Sequence, residues 1–578
     1  MRRNAFRGAA ALIGILLVPA GCGGGRPEGP RNLLLISVDT LRADHLSCYG
    51  YERRTTPRID TLAATGIRFA QAWANSPWTL PSHATLLSGT HPFWHMVVDD
   101  HATIGASVPL LAPILKSRGY STAAVVSGLY VSSRFHFDRG FDRFEDFGLS
   151  RGARPLNSVR ASEVTEKALE AIRTNQDRPF FLFAHYFDPH NPYEPPEGWN
   201  TRFDADPSVV PYLGESAYRG ALPPPAVLSH IQAQYDEEIL YTDAMIGRLL
   251  EGMEAMDRLR DTLIVLTSDH GEEFFEHGSW GHGHTLYPEV LHVPLIVSGP
   301  GIGRGKVADG SVRHIDLAPT ILDLLSLPAE NAFQGRSFAG VLRGLPAAGT
   351  AVPRHAEEER LLLAETSRHD VNLVGAVDGR SELVLDLKGR RLSFFDLRSD
   401  PDSRLDLSTS RPEDAGDLLT NLLSEIRSVA AEHWEVSWRG AVSGRATIRG
   451  LMLGDESPTL PASPGDVFRR LQDREFPAPA GDTRIVAIPP DAPLEFLVDC
   501  GPAADCAVIG DRPAPAGVRL IADPLLTGAR SLGLEPAASR GGADRLFRVR
   551  LLSPHAVPEG AALTKEELDR LRSLGYLH

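Results

Sequence analysis

Two short, nearly unbroken apolar runs, each ended by an acidic residue, constrain this chain more than any other feature. Residues 32–38 lead directly into Asp39, and residues 262–267 lead through Ser268 into Asp269 and His270. Apolar at almost every position, such runs suit strands buried on both faces, the pattern of a parallel sheet covered by helices. Residues 180–184 and 293–297 read as further strands, and residues 162–173 and 231–256 read as helices. This alternation predicts an α/β architecture, a mixed and mostly parallel sheet flanked by helices. Open sheets of that kind keep their sites at the carboxyl ends of the strands, so Asp39, Asp269 and His270 fall on the functional edge.

Charge and length narrow the partners. The 578 residues carry 59 Lys plus Arg against 74 Asp plus Glu, a net charge of −15, which argues against a nonspecific nucleic-acid surface. Arg2, Arg3 and Arg7 precede an apolar run over residues 9–18 and then Gly21-Cys22-Gly23, the pattern of a secretory signal. Small residues before Cys22 resemble a bacterial lipoprotein processing site, so the chain is expected to be exported to the cell envelope, periplasmic or anchored at the outer membrane by lipid on Cys22. Plain secretion is the alternative, and membrane contact is expected only through that anchor. In an oxidising compartment Cys500 and Cys506 can close a small loop, while Cys48 reads as a small buried hydrophobe.

Thr79-Leu80-Pro81-Ser82-His83, continuing to Gly89, is the second informative stretch. Pro81 suits a first helical turn, Leu80, Ala84 and Leu87 share a face, and Gly89 is placed to end the helix. Thr79 then stands where unpaired backbone N–H groups gather to meet an anion. Further blocks follow one another along the chain: Ser37-Val38-Asp39-Thr40-Leu41-Arg42, Thr56-Pro57-Arg58-Ile59-Asp60, Asp188-Pro189-His190, Ser268-Asp269-His270-Gly271-Glu272, Ile315-Asp316-Leu317-Ala318-Pro319-Thr320 and Phe395-Asp396-Leu397-Arg398. Together they resemble the sulfatase family of the alkaline phosphatase superfamily, over roughly residues 31–437.

That resemblance implies a sulfatase-like fold with a smaller C-terminal antiparallel-sheet subdomain, hydrolysis of ester bonds and one divalent metal ion. Asp39, Asp269 and His270 are the expected metal ligands, a mixed oxygen and nitrogen set compatible with Ca, Zn or Mn. The family oxidises a Cys or Ser to formylglycine at the position held here by Thr79, and no formylglycine is expected on a threonine. Other family positions also differ: the supporting Arg is His83, a second Asp ligand is Thr40, and a Lys four residues before Tyr287 is Gly283. Superfamily relatives with an unmodified Thr or Ser act on phosphorus, and the His282-Gly283 pair resembles that of the phosphoethanolamine transferases.

Thr79 is thus the expected nucleophile, His282 and His190 the expected proton-transferring groups, and His83, His284 and His314 the expected substrate-binding residues. Each has a plainer reading: Thr79 as a helix cap, Asp39 as a cap after a strand, and the histidines as solvated loop residues. Asp44 is a weaker ligand candidate. The leading expectation is a metal-dependent hydrolase of phosphate mono- or diesters working through a Thr79 covalent intermediate. A sulfuric ester hydrolase, an exported phosphoryl-group transferase and a noncatalytic binder of sulfated or phosphorylated glycans are the alternatives. The expected partner is a small-molecule, glycan or lipid ester, with no nucleic acid.

The expected division runs from a signal peptide (1–22) and linker (23–30) to a catalytic domain (31–345) and a C-terminal subdomain (346–438), whose helix is expected near residues 417–433. An extra β-rich accessory region (439–562), with strands near 483–488 and 545–551, and a terminal helix (563–578) complete the chain.

Overall fold

The computed structural model describes residues 29–429 apart from 101, 156–157, 175–177, 204–221, 345–359 and 370, together with the backbone of strands between His433 and Leu552. The expected signal peptide with Cys22, the side chains of Cys500 and Cys506, and the terminal helix all lie outside the described residues. No helix among the described residues is long and apolar enough to cross a membrane.

An eight-stranded sheet forms the centre. Its strands are β1 (Asn32–Val38), β2 (Ile67–Trp73), β3 (Ser121–Val126), β4 (Arg143–Glu145), β5 (Phe180–Tyr186), β6 (Thr262–Ser268) and, after the small pair β7 (Glu273–Phe274) and β8 (Trp280–Gly281), β9 (Leu295–Ser298) and β10 (Lys306–Arg313). Their order across the sheet is β10-β2-β9-β6-β1-β5-β3-β4. All neighbours run parallel except β9, which is antiparallel to β2 and β6. The sheet is therefore mixed and mostly parallel, as the apolar runs predict.

Every residue of β1, β5 and β6 is buried. Successive side chains of a strand point to opposite faces, and here they feed two cores. Leu33 and Leu35, Phe181 and Phe183, Leu263 and Val265 join one cluster, which also takes in Leu80, Ala84 and Leu87 of the helix Thr79–Ser88. Leu34 and Ile36, Leu182 and Ala184, Ile264 and Leu266 join the other, against the helices Pro57–Thr65, Ala161–Arg173 and Pro225–Ala255. Burial on both sides explains why these strands read as continuous apolar runs rather than as alternating ones.

A second, antiparallel sheet follows, the meander β11 (Leu362–Thr366), β12 (Leu373–Val377), β13 (Ser381–Asp386) and β14 (Arg391–Asp396). One of its faces packs on the helix Pro412–Val429, where Leu363, Val374, Leu383 and Phe394 meet Leu418, Leu422 and Ile426. Leu362, Ala364, Leu373 and Val377 belong instead to the first core of the main sheet, so the two sheets share an apolar seam. Hydrogen bonds tie that seam to the loop before Thr79: Asn75 Nδ2 donates to the Leu363 carbonyl at 2.8 Å and Ser76 Oγ to that of Glu365 at 3.1 Å. From His433 onward the described strands form a six-stranded and a four-stranded sheet, among them Gly481–Val486 and Arg545–Leu552 at the places expected for strands. The helix expected near residues 417–433 ends earlier, since His433 opens a strand paired with Leu552.

Candidate active site

Strand register brings the acidic residues together. Val38 pairs with Ser268 across β1 and β6, so Asp39 and Asp269, the next residue on each strand, emerge side by side at the carboxyl edge. The helix Thr79–Ser88 has Trp78 as its N-terminal flank and ends at Gly89, whose left-handed backbone (φ 61°) allows its N–H to close on the Thr85 carbonyl at 2.8 Å. All ten residues of this helix are buried, which holds Thr79 against the strand ends.

His270 organises the cluster. Its Nδ1–H donates to the Gly271 carbonyl at 2.8 Å, which leaves Nε2 as the bare lone pair. That nitrogen lies 3.4 Å from Asp269 Oδ2 and 3.6 Å from Asp39 Oδ1. Thr79 Oγ1 is also 3.4 Å away. One ligand atom each of Asp39, Asp269 and His270 lies within 4.8 Å of the others, close enough for a single cation to meet all three. Both carboxylate oxygens of Asp39 and Oδ2 of Asp269 are buried with no hydrogen-bond donor, an arrangement that is costly unless a cation meets them. Burial, then the neighbouring Glu272, pushes the Asp39 carboxyl well above its usual range, and burial plus Asp39 does the same to Asp269. Burial, foremost, keeps His270 neutral, the state a metal ligand needs. The residues present therefore fit a divalent ion.

Several side chains fix this cluster from behind. His83 Nδ1–H donates to the Thr79 carbonyl at 2.9 Å, and its Nε2 accepts from Ser37 Oγ at 3.0 Å. Ser82 Oγ donates to the Asp269 carbonyl at 2.6 Å and accepts from His314 Nδ1 at 3.1 Å, while His314 Nε2 faces Thr267 Oγ1 at 3.4 Å. Both nitrogens of His83 and Nδ1 of His314 therefore bond to the scaffold behind the cluster. His185, which the sequence reading passed over, sits on β5 beside Ser37 and brings Nε2 to 3.3 Å from Asp39 Oδ2. Asp44 takes no part: it pairs with Arg42 at 2.7 Å and its side chain is 61% exposed.

On the other side of the cluster lie the remaining histidines. The His282 ring is 4.4 Å from that of His270 and 5.1 Å from that of His190. Glu272 holds His282 through Oε1 to Nδ1 at 2.7 Å, and accepts from Tyr193 Oη at 2.9 Å with its other oxygen. His190 stacks on Phe187 and donates Nδ1–H to the Asn191 carbonyl at 2.6 Å. His284 stands one step further out, 3.3 Å from Glu273 Oε2 and with its Nδ1 on the His282 carbonyl at 3.2 Å. Glu272 follows the Asp269-His270 pair so closely that its position was the available signal; His185, inside a strand, offered none beyond an oddly polar residue in an apolar run.

Two carboxylates, an imidazole and a hydroxyl thus converge at the carboxyl edge of a mostly parallel sheet covered on both faces. A family profile described as Sulfatase matches residues 31–327. The chain belongs to the Sulfatase family. It is 26% identical over 458 residues to arylsulfatase K of Gallus gallus, covering 70% of this chain and 84% of that one. With N-acetylglucosamine-6-O-sulfatase of Bacteroides thetaiotaomicron it shares 25% identity over 394 residues, 54% of this chain and 70% of the relative. In fold it is similar to the phosphonate monoester hydrolase of Silicibacter pomeroyi, with a TM-score of 0.55 at 21% identity, over 69% of this chain and 95% of that structure.

Proposed function

We propose that the protein hydrolyses phosphate esters through a covalent intermediate on Thr79. The observation that carries this reading is the Thr79 hydroxyl at 3.4 Å from His270 Nε2, at the head of a buried helix and within the cluster formed with Asp39 and Asp269. An ion held by Asp39, Asp269 and His270 would supply Lewis acidity, lowering the cost of deprotonating a threonine hydroxyl that is a poor nucleophile at neutral pH. Thr79 Oγ1 attacks phosphorus in line and passes its proton to the bare Nε2 of His282, the Oγ1–P bond forms and the bond to the leaving oxygen breaks. His282, held by Glu272 through Nδ1, hands the proton it took from Thr79 from Nε2 to the leaving oxygen, and His190 beside it completes that wall. Water then cleaves the Thr79 phosphoester and releases phosphate.

Sulfuric ester hydrolysis is the second reading, and the names of the curated relatives favour it. Threonine weighs against it, because it lacks the spare hydroxyl with which a formylglycine hydrate expels sulfate. Turnover of p-nitrophenyl phosphate, bis-p-nitrophenyl phosphate and p-nitrophenyl sulfate by the metal-loaded protein and by Thr79→Ala separates the two. Phosphate-ester turnover lost in the variant is the expected result; sulfate turnover, or phosphate turnover that survives Thr79→Ala, would overturn the proposal. The run from Arg2 to Cys22 supports an exported, lipid-anchored enzyme.

A further inference from the structure

We infer that Arg368, delivered from the second sheet, is the residue that binds the anionic oxygens of the ester. This rests on the reading of the Thr79 pocket as the ester site. Arg368 follows β11 by two residues, and tertiary contacts carry that strand end to the pocket. Thr366 Oγ1 donates to the Gly283 carbonyl at 2.7 Å, and the Asn75 and Ser76 side chains hold the strand from the loop that precedes Thr79. The guanidinium lies 4.3 Å from the ring centre of Trp78, the residue next to the nucleophile, and 5.1 Å from that of Tyr130.

Gly283 makes room for it. A Cβ there would come within 3.0 Å of Arg368 Cδ and 3.3 Å of His369 Cδ2, and the backbone is left-handed at φ 87°, so a side chain at 283 is disfavoured twice. The space beside His282 is thereby given to a cation from another part of the chain.

Charge balance gives the cation its purpose. Asp39, Asp269, Glu272 and Glu273 are buried around the pocket. Arg42, whose Nη1 also donates to the Glu272 carbonyl, is held by Asp44 at 2.7 Å and Glu276 at 2.6 Å. A phosphoryl group approaching carboxylates therefore needs positive charge beyond the metal, and a planar guanidinium offers two parallel N–H donors to its oxygens. Stacking on Trp78 orients that fork while lowering the cost of burying it. Arg368 thus selects for anionic esters whether the central atom is phosphorus or sulfur.

The test is equilibrium binding of inorganic phosphate and inorganic sulfate to the metal-loaded full-length protein, Arg368→Gln and Arg368→Lys, with metal stoichiometry and melting temperature measured on each. Arg368→Gln is expected to weaken phosphate binding by at least about tenfold, and Arg368→Lys by roughly three- to tenfold, with metal content unchanged. Phosphate affinity within about twofold of the parent in a folded Arg368→Gln, or no binding of either anion by the parent, would overturn the inference. Should Arg368→Gln fail to fold, unchanged affinity in Arg368→Lys overturns it equally. Arg368-dependent phosphate binding without turnover of any p-nitrophenyl ester would leave the anion site standing and sink only the esterase reading.

Discussion

At the scale of single residues, the site is a set of groups whose costs in isolation are offset by one another. Thr79 contributes a hydroxyl and no charge, so its removal should spare the metal site and abolish the chemistry. Thr79→Ala is expected to lower kcat by about a thousandfold or more while Thr79→Ser retains turnover, with metal content by elemental analysis unchanged in both. Asp39 behaves in the opposite way. Its buried oxygens lack donors and its carboxyl is raised by burial and by Glu272, so the ionised form destabilises the metal-free fold. Asp39→Asn should therefore melt higher than the parent in chelator and lose the rise in melting temperature that added divalent metal gives the parent. An Asp39→Asn protein that still gains stability from metal would remove Asp39 from the ligand set.

Elements succeed here because neighbouring segments leave no slack. Gly271 follows the Asp269-His270 pair and donates its N–H to the Val290 carbonyl at 2.9 Å, while Glu272 N–H donates to the Glu289 carbonyl at 3.1 Å. A Cβ on Gly271 would stand 2.0 Å from the Glu289 carbonyl oxygen, a backbone atom that cannot turn aside. Gly271→Ala should displace the loop that carries His270, costing more than about 3 kcal/mol in denaturant unfolding and depleting bound metal. Leu35→Ala in β1 is a useful contrast, because Leu35 is wholly buried in the first core and its truncation should cost about 2–5 kcal/mol without touching the site. The β1 and β6 runs were legible because burial on both faces leaves an apolar signature along the chain. The helix carrying Thr79 was legible from Pro81, its apolar face and Gly89, although its complete burial was not.

Across the whole molecule, a polar seam joins the main sheet to the second one. His277 donates Nε2–H to the Ser403 carbonyl at 3.1 Å and Nδ1–H to Glu289 at 2.6 Å, two donations that call for the imidazolium, and its pKa is accordingly raised by Glu289 against the cost of burial. Ser403 Oγ in turn donates to Glu382 of β13. Burial, then Glu289, lifts the Glu382 carboxyl to about 8. A raised carboxyl binds its proton more tightly in the folded state, so its stabilising contribution is complete below the unfolded pKa and is lost as pH rises through the folded one. Stability should fall between about pH 5 and 8 by up to roughly 1.4 kcal/mol per unit, and Glu382→Gln, which cannot titrate, should flatten that slope in urea unfolding. An unchanged slope would mean that Glu382 is ionised in the seam. By itself the sequence determined the fold class and pointed to the strand-end residues Asp39, Asp269 and His270 and the helix-head residue Thr79 that the structure brings together, because each is written in contiguous residues whose burial period or terminal position leaves a local mark. Tertiary structure alone decided that His83 and His314 brace the scaffold, that Asp44 turns to Arg42, and that His185, Glu272 and Arg368 join the site. Those contacts depend on strand register and on the closure of β11 against the loop before Thr79, and packing between segments hundreds of residues apart leaves no pattern in the intervening chain.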